Sequence, residues 1–358
     1  MLNRKNVLLF IATLLLLCSV SLPSCKKEPS TQAPEPAMQA ASYYEYFDTV
    51  SVIFSYKGDS SEEFAANCEV VSSLLQEYHR LFDIYYEYSG INNLKTINKN
   101  AGKEPVKVDQ KLIDFLLYAK EIYALTNGAT NIAMGSVLKL WHDAREDGMD
   151  DPSKAYLPSS EALAEAALHT DINQLIIDEQ AGTVYLADPN MRLDVGAIGK
   201  GYATERAAEA LQSRGVASYV LNIGGNIRAI GKKTTGQGWV TGITNPDKTS
   251  SESFVCRVVI SDVSLVTSGD YERYYLVDGE KYHHIIDPST NMPANYFTSV
   301  SVFTKDSGLA DALSTALFCM NYEEGNALIK KIGGVDVIWV LADGTVHMTE
   351  NIQLHEQQ

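Results

Sequence analysis

Arg192-Leu193-Asp194-Val195-Gly196-Ala197-Ile198-Gly199-Lys200-Gly201-Tyr202-Ala203 is a short apolar run that breaks into three glycines and a lysine and then takes up helical spacing. It reads as strand, turn and helix. Glycines let the backbone approach a ligand closely, and a helix opening at such a turn aims unpaired N–H groups and a positive dipole end into it, so a phosphate is the natural guest. The spacing matches neither familiar nucleotide fingerprint. Only Ala197 and Ile198 separate Gly196 from Gly199-Lys200, no Ser or Thr follows the lysine as in a P-loop, and the Gly-x-Gly-x-x-Gly order is absent. A tight turn with a solvated lysine reads equally well from this stretch alone.

On the N-terminal side, Gln174 to Asp178, Thr183 to Leu186 and Met191 to Val195 read as successive strands, the last feeding the glycine turn. Tyr202 to Leu211 continues it as a helix closed by Gly215. Earlier still, Tyr43 to Tyr56 alternates like a strand, and Glu62 to Phe82 and Asp109 to Leu125 carry apolar residues at helical spacing, with a polar loop from Gly90 to Gly102 between them. Thr126 to Trp141 is apolar with small residues and reads as a surface against something flat. His142 to Pro158 reads as loop, and Ser160 as the cap of a helix from Glu161 to Leu168.

Beyond the turn, strands are expected at Tyr219–Ile223, Asn226–Ile230, Trp239–Ile243 and Phe254–Ile260. Tyr271–Val277 and Lys281–Ile286 flank the hairpin signal Asp278-Gly279. A strand at Ser299–Phe303, helices at Leu309–Met320 and Glu323–Ile332, and two closing strands at Asp336–Leu341 and Val346–Thr349 follow. Hairpin-joined strands interleaved with separate helices predict an α+β fold with a largely antiparallel sheet.

The chain has 358 residues, 45% of them hydrophobic, enough for a large core, and a formal net charge of -16. That charge argues against nucleic acid as a partner. Arg4 and Lys5, the apolar stretch Val7 to Val20, and Leu22-Pro23-Ser24-Cys25 have the layout of a bacterial lipoprotein export signal, with Cys25 as the lipidated residue. The expected organisation is a signal over residues 1–24, a Pro-rich tether over 25–41 and one folded domain over 42–358. The protein would be lipid-anchored in the cell envelope on the non-cytoplasmic, periplasmic face. Cys68, Cys256 and Cys319 lack metal-like spacing and read as apolar fillers.

In the helix from Leu309, Asp311 and Thr315 lie four apart on one face, as hard-oxygen magnesium ligands could. An ordinary first-turn acid and a Thr bonded to its own helix fit as well.

Arg192–Ala203, Asn222-Ile223-Gly224-Gly225-Asn226, Thr267-Ser268-Gly269-Asp270-Tyr271-Glu272-Arg273, His284-Ile285-Ile286-Asp287-Pro288-Ser289-Thr290 and Ala310-Asp311-Ala312-Leu313-Ser314-Thr315-Ala316-Leu317 occur in the order and approximate spacing of the ApbE family, which this chain resembles from about Tyr44 onward. Members move FMN from FAD onto a protein threonine. The resemblance implies an FAD cleft between two lobes and Mg2+ held by Asp311, Thr315 and the backbone carbonyl of Ala197. It places Gly199, Lys200, Asn222, Gly224, Gly225, Thr267, Ser268 and Gly269 around FAD, with Asn131 standing where many members have Asp. His284 and Asp287 match the signature at the reacting end, with His284 the first candidate for proton transfer. The implied partners are FAD, an acceptor threonine on exported or membrane flavoprotein subunits, and the membrane through the lipid anchor. Hydrolysis of FAD to FMN and AMP, and non-catalytic FAD binding, would use the same cleft. His283 and His284 face opposite ways if both lie in a strand, so only one enters the cleft. Asn291, where the family usually has glycine, tolerates a left-handed turn.

Overall fold

The computed structural model describes residues 38–56 and 59–355. The export signal, Cys25 and most of the expected tether lie outside them. Eight strands lie side by side in chain order, each antiparallel to the next: β1 (Met38–Tyr43), β2 (Ser51–Tyr56), β3 (Ser218–Ile223), β4 (Asn226–Gly231), β5 (Ser264–Gly269), β6 (Ser299–Thr304), β7 (Asp336–Val340) and β8 (Val346–Met348). The α+β class with an antiparallel sheet is what the sequence predicts.

Strand alternation sorts the core onto the two faces of this sheet. One face carries Ile53, Leu221 and Ile230 toward α1 (Ser61–Phe82) and α6 (Gly199–Ser213), and Val266, Val300 and Trp339 toward α7 (Ser307–Phe318) and α8 (Tyr322–Ile332). The other carries Leu265, Phe303 and Ile338 toward the hairpin Trp239–Thr244 and Phe254–Ile260. A smaller core packs α4 (Gly135–Asp150) and α5 (Ser160–Ala167) against the hairpin Tyr274–Val277 and Glu280–His283. The chain crosses between these cores at Ile285, buried with α7, and Ile286, buried with α4.

Several local expectations are corrected. Tyr43 to Tyr56 is not one strand: β1 ends at Tyr43 and β2 begins at Ser51, with Phe47 and Asp48 both at positive φ in the turn. β1 also starts at Met38, inside the stretch read as tether. The Gly90–Gly102 loop contains a short helix, α2 (Leu94–Lys99), capped by Asn93, and the helix expected from Asp109 is α3 (Gln110–Leu125), capped by Asp109. His142 to Asp150 is helical, because Val137, Trp141 and Ala144 form a buried stripe while the acidic residues beyond face solvent. The cap of α5 is Ser159, not Ser160. Met191 to Val195 is extended without being a sheet strand. It makes a single bridge, Arg192 to Met134, and the Asn98 side chain mimics a neighbouring strand by donating to Leu193 O (3.0 Å) and accepting from Leu193 N (2.7 Å). Cys68 and Cys319 are buried free thiols as expected, and Cys256 is partly exposed.

Candidate active site

The glycine turn delivers α6 directly onto α7. A Cβ on Gly201 would stand 2.2 Å from the Ser307 carbonyl oxygen and 2.4 Å from Asp311 Cβ, so only glycine permits this contact. The Gly201 N–H, which in an unbroken helix would return to Ala197, instead donates to Asp311 Oδ2 at 2.7 Å. The Ala197 carbonyl, one residue before the N-cap, takes no hydrogen bond from the helix. Ile198, at the N-cap, supplies no side-chain cap.

Asp311 is 4% exposed, and burial raises its pKa, with Lys200 and the Gly201 N–H pulling the other way. Its Oδ1 has only Lys200 Nζ at 3.9 Å, outside hydrogen-bond reach. Asn226 eases the same charge, yet its buried Nδ2 completes no hydrogen bond of good geometry. Thr315 Oγ1 lies 3.5 Å from Ser268 Oγ, and the Asp311 carbonyl that a helical Thr would ordinarily take is held by Ser314 Oγ at 2.9 Å.

A carboxylate short of compensation, a hydroxyl not bonded back to its helix and a carbonyl without its donor make a hard-oxygen set that fits Mg2+. Among the described residues no group of three or more His, Cys, Asp or Glu side chains could hold a metal. The set is therefore mixed, with one carboxylate.

The other expected site residues divide. Gly224 and Gly225 form the β3–β4 turn at φ 57° and 90°, with the Asn222 Oδ1 accepting from Gly225 N at 3.0 Å. Thr49 fills the space a Gly224 Cβ would need. Gly199 is buried against Phe82, and Gly269 makes room for the Tyr271 ring. Ser268 faces α7, its Oγ 2.8 Å from Ser314 Oγ. Thr267 points through the opposite face of the sheet to Ser301 (2.7 Å), so it does not share the Asp311 side. Asn131 is spent within the fold: its Nδ2 donates to Thr170 O (2.9 Å) and its Oδ1 accepts from Ala133 N (2.9 Å).

At the cleft's other expected end, His283 is locked, with Nε2 donating to Ala294 O (2.7 Å) and Nδ1 accepting from Ile285 N (3.2 Å). His284 is the free one. Its Nδ1 lies 3.2 Å from the Arg273 carbonyl oxygen, so the neutral ring donates there and turns its Nε2 lone pair outward. Its pKa is pushed down to about 3, first by burial and then by Arg273 and Arg145. Asp287 is the cap of its own turn, accepting Ser289 N (2.8 Å) and Ser289 Oγ (2.7 Å) on Oδ1, with Asn291 at φ 58° closing that turn. Its other carboxylate oxygen takes no part in that cap.

Sequence reasoning did not single out Arg145. Its positive charge presses the pKa of both His284 and Asp194 of the glycine stretch downward. Nothing local marks it, since it sits on α4, which reads as loop. A concavity of about 460 Å³ lined by Tyr85, Tyr86, Lys95, Asn98, Lys99 and Arg192 adjoins the start of the glycine stretch without reaching Asp311.

Residues 48–339 match the ApbE family. The FAD:protein FMN transferase of Treponema pallidum is 35% identical over 313 residues, 83% of each chain. That of Klebsiella pneumoniae is 32% identical over 271 residues, 75% of this chain and 80% of the other. Among solved structures, the ApbE protein of Thermotoga maritima superposes with a TM-score of 0.75 at 28% identity, covering 88% of this chain and 97% of that one. The flavin transferase ApbE of Vibrio cholerae does so at 0.72 and 26%, covering 87% and 96%.

Proposed function

This chain belongs to the ApbE family and is an FAD:protein FMN transferase, and we propose that it works with Mg2+, joins FMN through a phosphoester bond to an acceptor threonine, and releases AMP. The observation that carries the reading is the under-compensated Asp311 carboxylate, tied through the Gly201 N–H to the turn that carries the Ala197 carbonyl, with the Thr315 hydroxyl one turn further along α7. Those three groups would hold the metal, which when bound neutralises charge developing on the pyrophosphate.

Lys200 and the uncapped start of α6 bind phosphate oxygens. The buried wall of α7 and the Ser268 strand limits water on that side. His284 Nε2 accepts the threonine proton as its oxygen attacks phosphorus and the bond to the AMP oxygen breaks. A base with a pKa near 3 is weak, and the anionic phosphates of bound FAD raise it toward the ordinary histidine range.

The reading extends to an exported protein, lipidated at Cys25 and facing the periplasm, whose acceptors are exported or membrane flavoprotein subunits. Among the described residues no helix is long and apolar enough to cross a membrane. Purified protein incubated with FAD, Mg2+ and a threonine-bearing acceptor domain should yield a fluorescent, covalent product and one AMP per flavin attached. AMP release at equal rate without acceptor would mark a hydrolase instead. Cys25→Ser should move the protein from the membrane to the soluble fraction.

A further inference from the structure

One buried ion pair beside the site has no part in this chemistry. Glu205 of α6 and Arg228 of β4 are 5% and 4% exposed, with Arg228 Nε 3.3 and 3.1 Å from the two Glu205 carboxylate oxygens. Arg228 also donates to the Ala229 carbonyl at 2.5 Å. Glu205 Oε2 accepts one further hydrogen bond, from the backbone N–H of Ser307 at 2.8 Å. Ser307 is the first residue of α7, whose opening N–H groups have no partner within the helix. The neighbouring Asp306 cap serves Leu309 N instead (2.7 Å).

Glu205 lies one turn beyond Gly201 on α6, and Ser307 one turn before Asp311 on α7, so the two helices are clasped twice in opposite directions. Asp311 reaches from α7 to the Gly201 N–H, and Glu205 reaches from α6 to the Ser307 N–H. The second clasp fixes where α7 begins and therefore where Asp311 stands relative to the Ala197 carbonyl.

We infer that Glu205, anchored by Arg228, is a positioning residue that sets the Asp311–Ala197 oxygen geometry and with it the affinity for Mg2+. This rests on the Mg2+ reading of that oxygen set. The test replaces both partners, Glu205→Met with Arg228→Met, so that no unpaired charge stays buried. Mg2+ is titrated by calorimetry and by the Mg2+-dependent rise in Tm, with Asp311→Asn as the control that abolishes both signals. The double variant should keep its Tm within a few degrees of the parent but bind Mg2+ about 10-fold more weakly or worse, the scale seen when outer-sphere supports of a metal are lost. Transfer activity should then recover at saturating Mg2+. If that variant does not fold, Arg228→Lys, which keeps the charge and loses the two-oxygen grip, should weaken Mg2+ binding in the same direction by a few-fold. Parent-like Mg2+ affinity in the variant that folds overturns the positioning role alone. A parent that binds no Mg2+ with or without FAD overturns the metal reading, and the positioning role with it.

Discussion

Glu205 and Asp311 face each other across the α6–α7 contact, one helical turn apart, with nearly equal burial and one backbone N–H each. Burial raises the pKa of both. They differ in the countercharge. Glu205 has a guanidinium on both oxygens, whereas Asp311 has an ammonium 3.9 Å away on one oxygen and no cation on the other. A buried carboxylate with complete compensation is a structural bolt; one left short of positive charge in the same environment is where a cation belongs. Two acids of similar surroundings thus acquire opposite roles from what stands behind them.

The sharpest way to break the comparison is Gly201→Ala. The new methyl collides with backbone 2.2 Å away, pushing α7 off α6 and releasing both clasps. A stability loss of about 3 kcal/mol or more, read by denaturant unfolding, should accompany loss of transferase activity. Asp311→Asn should separate the two roles: activity falls about 1,000-fold, the scale of several kcal/mol of lost charge stabilisation, while Tm stays level or rises because an under-compensated charge has gone. Glu205→Gln should do the reverse for stability. It leaves Arg228 buried against a neutral amide and costs roughly 3–5 kcal/mol, so Tm should fall in this variant but not in Asp311→Asn in the same thermal scan.

The smallest effect concerns His284, a half-buried group whose charge is disfavoured rather than balanced. Its folded pKa near 3 lies below the ordinary value of about 6.5, so the unfolded chain takes up a proton that the folded one refuses. Its contribution to stability is full above about pH 6.5 and is lost as pH falls toward 3. In His284→Gln, Tm should therefore drop less between pH 7.5 and pH 5 than it does in the parent. Equal drops would remove His284 from the acid response.

What was legible in the sequence is what is local. The apolar spacing of Val71, Leu75, Tyr78 and Phe82 marks α1, and Asp278-Gly279 marks a hairpin that forms with both residues at positive φ. The glycine turn, Lys200 and Asp311 stand out as motifs, and the fold brings the Gly201 N–H and the lysine to the Asp311 carboxylate. What the sequence does not show is what depends on distant partners. The α4 helix was hidden because its charged outer face outnumbers a stripe of three core residues. Thr267 and Asn131 carry suitable polar atoms, yet alternation turns one through the sheet and two backbone groups consume the other. Arg228 is 23 residues from Glu205 and has no local pattern to announce the pair.

The double clasp also limits how this region can vary in length. Substitutions along α6 and α7 can accumulate singly wherever side chains face solvent. A single inserted residue between Gly201 and Glu205, harmless to helix formation, would swing one partner by about 100° around the axis. Only one of the two N–H groups could then still be met. Residue spacing in these two segments is therefore under tighter geometric control than residue identity, and drift in one helix must be matched by a compensating shift in the other.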